Sequence, residues 1–239
     1  MSKQPGLPTE AVTEDLTGLD RLARNVFVSW AGYIVVIIAG FVMPRIIDRQ
    51  IGQEALGIWD FCWSVVSYFG FAGIGVGSSV NRYVARYRAL GELEVMNRAL
   101  SSVNYVQTMI ALAMFVVTGL IFWFLPILFS NRLGAETGTA AYVVGFLGAS
   151  LAVQMAFDAF RGVITGCHRW DLHNLINSAS HVLTVMGMLT VLSLGGGLIG
   201  ISMFYFFGTV MTEIVRLRVA KSVCPELKIK FALATRTQA

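Results

Sequence analysis

Six apolar stretches, each near the length that crosses a bilayer, dominate the sequence: 26–43, 58–80, 103–129, 141–157, 175–194 and 198–215. About 20 residues of helix span a hydrocarbon core of roughly 30 Å. Inside lipid a backbone can satisfy its own polar groups only as a helix or as a closed barrel. The chain is 56% hydrophobic and 13% charged, whereas soluble domains carry about 25% charged residues. The expectation is an all-α integral membrane protein with six transmembrane helices. The fifth and sixth stretches are separated only by Gly195, Gly196 and Gly197, a link short enough to make them a helical hairpin.

The positions of the charges give an orientation. Of 18 lysines and arginines, only Arg45, Arg49 and Arg132 fall in the loops after the first and third stretches. The others lie in the two termini and in the loops after the second and fourth. Loops rich in Lys and Arg stay in the cytoplasm, so both termini are expected inside, consistent with an even number of spans. The net charge of +4 then reads as a membrane-surface signal rather than a nucleic-acid one. Trp59, Trp63 and Trp123 sit near the expected outer ends of spans, and Trp30 and Trp170 near the inner face, where amphipathic rings are favoured.

Three regions follow. Residues 1–25 form a cytoplasmic segment without a small-residue cleavage pattern, in which Leu16, Leu19 and Leu22 mark a short amphipathic surface helix. Residues 26–215 hold the bundle. Residues 216–239 are a basic cytoplasmic tail. The three cysteines, Cys62, Cys167 and Cys224, form no CxxC pair, so no disulfide framework and no metal site follow from them.

The run GFAGIGVGSSVNRYVARYRALGE, residues 70–92, imitates a phosphate-binding loop. Such a loop needs a strand before it and a soluble helix after it. Here Gly73, Gly75 and Gly77 fall inside an apolar stretch, and no GK[ST] follows. The glycines read as a helix-packing face. Arg82 and Arg86, one turn apart, read either as anchors to lipid headgroups or as contacts to an anionic headgroup substrate.

Polar residues recur at helical spacing inside several stretches. Ser150, Gln154, Asp158, Arg161 and Thr165 share one face of the fourth; Asn174, Asn177 and His181 share one of the fifth. Ser202, Tyr205, Thr209, Thr212 or Glu213, and Arg216 do so in the sixth, and Asp60, Ser64 and Ser67 in the second. Such groups are costly in a bilayer and usually face a cavity or the bundle interior. Asp158 with Arg161, and Glu213 with Arg216, stand three apart and can pair. His181 is a candidate titrating group. His168, Asp171 and His173 cluster in the fourth loop and could hold a metal or meet phosphate, or could simply form an interfacial turn.

The order of motifs resembles the N-terminal half of Wzx-like polysaccharide and oligosaccharide flippases, in the multidrug/oligosaccharidyl-lipid/polysaccharide exporter superfamily. The resemblance is carried by RLARNVFVSW, IGQEALGIWDF, GIGVGSSVNRYVARYRALGE, FRGVITGCHRWDLHNLINSASHVL and CPELKIKF. It implies one six-helix lobe of a two-lobe exporter in the cytoplasmic membrane. It also implies polyprenyl-pyrophosphate-linked oligosaccharide as substrate, and a second lobe or a second copy as partner. On this reading Arg82, Arg86 and Arg161 meet the headgroup, while Gln154, Asp158, Asn177 and His181 line the path. No catalytic residue, cofactor, metal or nucleic acid is expected. The alternatives are a truncated, non-transporting remnant or assembly subunit, a drug or cation antiporter of the same superfamily, and a membrane enzyme acting on polyprenyl phosphates. The last lacks a DxD or DDxxD run.

Overall fold

A computed structural model describes residues 26–27, 30, 33–34, 36–38, 40–73 and 77–227. Among them every regular element is helical. Helix α1 covers residues 40–51 and stops at Gly52, whose φ of 100° ends it. Helix α2 (Gln53–Ser67) tightens into a 3₁₀ turn at Tyr68–Gly73, and α3 spans Gly77–Ala89. The long helix α4 (Leu93–Leu128) is followed by the short α5 (Ser130–Leu133) and a 3₁₀ turn at Gly134–Glu136. Helices α6 (Thr137–Gly166), α7 (Trp170–Ser193) and α8 (Gly197–Val223) complete the bundle.

Four of these helices, α4, α6, α7 and α8, are long and apolar enough to cross a membrane, and they coincide with the last four expected stretches. The second expected stretch, 58–80, is not one helix: it is divided among α2, the 3₁₀ turn and α3. The expected N-terminal surface helix, the packing role of Gly75 and the basic tail beyond residue 227 lie outside the described residues. At 1.5 Å per residue, the 36 residues of α4 make a rod of about 54 Å. Against roughly 30 Å of hydrocarbon, several of its turns must extend beyond it.

Sharp reversals let these rods pack antiparallel. Three helices end alike, with a residue in the left-handed region and a pair of backbone hydrogen bonds that satisfies the last carbonyls. After α3 the residue is Gly91 (φ 73°), with Glu92 N–H donating to Tyr87 C=O at 2.9 Å. After α7 it is Gly195 (φ 80°), with Gly196 N–H donating to Val191 C=O at 2.9 Å. After α6 it is His168 (φ 57°), with Arg169 N–H donating to Ile164 C=O at 3.1 Å. His168 is the one non-glycine residue among those described that takes this conformation.

Helix α6 is the axis of the bundle. Half of its apolar window is buried, against 22% or less for α4, α7 and α8, and it packs on α2, α3, α4 and α8. Small residues make the close approaches possible. A Cβ at Gly162 would fall 2.6 Å from Val80 Cβ, and one at Gly166 would fall 2.9 Å from the backbone oxygen of Asn81. Helix α3 is thus seated on α6 through Val80 and Val84. One apolar cluster, with Cys62, Leu147, Leu192 and Ile201, fills one end of the bundle. Another, with Val84, Leu100, Ile164 and Ala220, fills the other. Between them Ala111, Met114, Ala152 and Met155 form a smaller contact.

The glycines allow a controlled test. Replacing a helix-interior glycine by alanine gains about 1 kcal/mol where there is room, while overpacking costs roughly 1–3 kcal/mol. Gly119 on α4 faces open space. Thermal unfolding in detergent should show Gly119→Ala at or above the parent midpoint and Gly166→Ala below it, because a backbone carbonyl cannot turn aside as a side chain can.

Candidate functional site

The polar stripes of α6, α7 and α8 meet. They line a cleft of about 530 Å³ that is open on one side. Helix α6 contributes Gln154, Asp158 and Arg161, and α7 contributes Asn177, Ser180, His181 and Thr184. Helix α8 brings Tyr205, Thr209, Thr212, Glu213 and Arg216. Increments of three and four within each set put the side chains on one helical face. Phe69 and Gly70 of the 3₁₀ turn, with Leu151, Met114 and Met155, supply the apolar wall. Beyond Tyr205 the bundle is packed: its ring abuts Trp63 edge-on, with centroids 5.5 Å apart.

Glycines hold α7 and α8 close enough to share the cleft. A Cβ at Gly187 would strike the Phe204 ring, and Gly208 faces the Thr184 hydroxyl. Thr212 Oγ1 donates to Ser180 Oγ at 3.0 Å across the same hairpin.

Two acid–base pairs give the cleft its electrostatics. Arg161 Nη2 lies 2.6 Å from Asp158 Oδ1; the arginine side chain is half exposed and the aspartate is 17% exposed. Asp158 also accepts from Gln107 Nε2 of α4 at 3.3 Å. Arg216 Nη1 lies 2.5 Å from Glu213 Oε1, and both are buried, at 10% and 2% exposure. The second guanidinium nitrogen of Arg216 donates to Asn177 Oδ1 at 2.9 Å. Asn177 Nδ2 in turn meets His173 Nε2 at 3.0 Å. One charged network therefore ties α8 to α7, and the other ties α6 to α4. Glu213 Oε2, Arg216 Nε, His173 Nδ1 and Gln107 Oε1 have no protein partner among the described residues. Each adds hydrogen-bonding capacity next to the cleft.

The site residues expected from sequence divide cleanly. Gln154, Asp158, Arg161, Asn177 and His181 all line this one cleft, with His181 exposed at its wall. Arg82 and Arg86 do not line it; they are exposed on α3. The cause is that Val80 and Val84 occupy the face of α3 that packs inward. Arg86 instead lies over the Tyr87 ring, 5.9 Å from its centroid, and Tyr83 stacks on Tyr87. The stripe of α2 also stays apart: Ser64 Oγ donates to Asp60 C=O and Ser67 Oγ to Ser64 C=O, both exposed. Ser150, Thr165 and Ser202 satisfy themselves on carbonyls of their own helices.

The fourth-loop cluster has a structural explanation. His168 caps α6, and Asp171 pairs with Arg169 through two bonds of 3.0 and 3.1 Å. That bond holds the exposed Arg169 guanidinium above its ordinary pKa. His173 belongs to the cleft network. No group of three or more His, Cys, Asp or Glu among the described residues could hold a metal ion. Sequence reasoning missed Gln107, which is fully buried in α4; with Asn104 and Thr108 it forms a polar patch at helical spacing in an otherwise apolar run.

A family model described as polysaccharide biosynthesis protein matches residues 22–236. The chain belongs to the polysaccharide biosynthesis protein family. No curated protein and no solved structure gives a significant match. The family and the four membrane-length helices together make this a membrane protein of polysaccharide biosynthesis.

The two ion pairs differ in what their loss should cost. Removing one partner of a buried pair leaves an uncompensated charge, at about 3–5 kcal/mol, while exposed pairs contribute about 0–1 kcal/mol. In detergent, Glu213→Ala should lower the unfolding midpoint strongly and Arg161→Ala hardly at all. Equal effects would mean that Glu213 and Arg216 are better solvated than their burial implies.

Proposed function

We propose that this member of the polysaccharide biosynthesis family is a flippase, or one lobe of one, which moves lipid-linked oligosaccharide across the cytoplasmic membrane. One observation carries the reading: a polar cleft with two guanidinium–carboxylate pairs is set among membrane-length helices. Ionisable groups at such positions are expensive and mark substrate paths.

The cleft suits a headgroup that is part anion and part sugar. Arg161 is the accessible cation. Its planar fork can bind phosphate oxygens in bidentate fashion, turning from Asp158 as the pyrophosphate arrives. Arg216 stays locked by Glu213 and Asn177 and serves as a fixed positive wall. Hydroxyls and amides at Gln154, Ser180, Thr184 and Thr209 offer donors and acceptors to sugar hydroxyls. The polyprenyl tail remains in lipid along the open side. Arg82 and Arg86, exposed on α3, act earlier by gathering the anionic carrier at the membrane surface. No bond is made or broken, so the protein is not an enzyme on this reading.

A charged cleft open on one side cannot be left against lipid. A second lobe, either another chain or a second copy of this one, would close it, and movement of one lobe against the other would give alternating access. The buried acid Glu213 favours a second reading, a drug or cation antiporter. Its pairing with Arg216 weighs against that, because the carboxylate charge is already matched.

Complementation of a flippase-deficient strain tests the proposal, with export scored against membrane abundance. Hydrogen bonds to charged groups are worth about 1.5–3 kcal/mol, so Arg161→Ala should lower export at least about tenfold at unchanged abundance. His181→Ala should also lower it, while Arg82→Ala should give a smaller, salt-dependent loss. Normal export with Arg161→Ala would remove Arg161 from the headgroup site. Absence of export by the parent chain alone, restored by a second lobe, would identify a half-transporter; absence with any partner would identify a remnant.

A further inference from the structure

A second cleft, of about 520 Å³, opens at the end of the bundle where α3, α6 and α8 finish and α7 begins. It shares no lining residue with the polar cleft. Arg88 of α3, Arg169 ahead of α7 and Ser222 of α8 give it a basic, hydroxyl-bearing side. Leu172, Val219 and Val223, all half-buried, give it an apolar flank. Next to Arg169, the Trp170 ring is 45% exposed and stands edge-on to His173. An exposed tryptophan at the end of a spanning helix marks the depth of lipid headgroups.

The cations here have donors to spare. Arg88 is exposed and forms no ion pair among the described residues. Arg169, 47% exposed, gives Nε and Nη2 to Asp171. A guanidinium carries further N–H donors, so Nη1 remains for a second anion. The neighbouring carboxylates do not line the cleft: Asp171 is held by Arg169, and Glu226 accepts from the Cys224 thiol at 3.5 Å. Helix C-termini attract cations, yet these ends do not consume the arginine side chains. Their carbonyls accept from backbone N–H groups instead: Tyr87 from Glu92, Ile164 from Arg169 and Ala220 from Cys224.

We propose that this cleft seats the headgroup of an anionic phospholipid. The phosphodiester lies between Arg88 and Arg169, and the Ser222 hydroxyl donates to one of its oxygens. The acyl chains run back into the bilayer along Leu172, Val219 and Val223. Basic pockets between spanning helices recognise anionic headgroups in this way, and the planar fork of arginine suits phosphate oxygens. The apolar flank favours a lipid over a free phosphate ion, which would leave those three side chains uncovered. The cleft's volume falls within the range of about 300–1,000 Å³ usual for small-molecule sites. A lipid held there braces α3 against α8 and the start of α7, whatever the polar cleft carries.

The test is native mass spectrometry of the full chain in detergent. It is titrated with phosphatidylglycerol, with phosphatidylcholine of the same acyl chains, and with inorganic phosphate. The choline cation would face the same arginines, so the parent should retain phosphatidylglycerol about tenfold more tightly, the factor that one hydrogen bond to a charged group supplies. Arg88→Gln and Ser222→Glu should each abolish that preference. Both positions are exposed, and unfolding midpoints without lipid should match the parent's. Arg98→Gln, exposed on α4 and outside the cleft, should keep the preference. Equal retention of the two lipids by the parent would overturn the proposal. So would a preference that survives both Arg88→Gln and Ser222→Glu, or one that Arg98→Gln removes. Displacement of phosphatidylglycerol by an equal concentration of inorganic phosphate would show a site for free phosphate, and would overturn it too.

Discussion

Glu213 and Arg216 hold opposite charges 2.5 Å apart where almost no solvent reaches them. Taking two such ions out of water costs several kcal/mol each, and that cost is offset only where geometry is good and the remaining polar atoms find partners. Here α7 answers for α8 in part: Asn177 accepts from Arg216 and in turn meets His173, while Glu213 Oε2 and Arg216 Nε have no protein partner among the described residues. The pair therefore dictates that α7 and α8 stay together in a fixed register. Gly187 and Gly208 make that approach sterically possible. Because the hairpin turn supplies the same register from the other end, through Gly195 and its capping bonds, local and tertiary terms agree. The cleft is what remains between this rigid hairpin and α6.

The second pair is built differently. Asp158 and Arg161 sit on the central helix, are braced from α4 by Gln107, and leave half of the arginine exposed. One cation is fixed by its surroundings and the other is free to exchange its partner. That asymmetry, rather than net charge, matters for the function proposed above: the four charged side chains of the cleft cancel, so under that proposal an anion would be held only where an arginine can turn away from its own carboxylate.

Much of this was legible in the sequence, for a simple physical reason. Along a continuous helix, spacing alone decides which residues share a face. Gln154, Asp158 and Arg161, like Asn177 and His181, could thus be grouped correctly, and both i, i+3 ion pairs could be foreseen. What spacing cannot decide is which face of a helix turns inward when both carry plausible residues. On α3 the small apolar Val80 and Val84 dock on Gly162 and Gly166, and this forces Arg82 and Arg86 outward. The polar face of α2 likewise bonds to itself. The break at Tyr68–Gly73 was hidden because glycines in an apolar run also suit a continuous span. Gln107 was missed because its partner lies 51 residues away.

If the polar cleft between α6 and the α7–α8 hairpin is hydrated within the membrane, its walls are open to a water-borne reagent. Cysteine accessibility tests it directly, in a background whose three native cysteines are replaced by serine. Ser180 lines the cleft, whereas Leu183, one turn along, is 70% exposed on an apolar surface. With membranes intact, a charged thiol reagent should modify Ser180→Cys and spare Leu183→Cys, because only the first meets water. Protection of Ser180→Cys with modification of Leu183→Cys, or equal reaction at both, would rule out a hydrated cleft at this position.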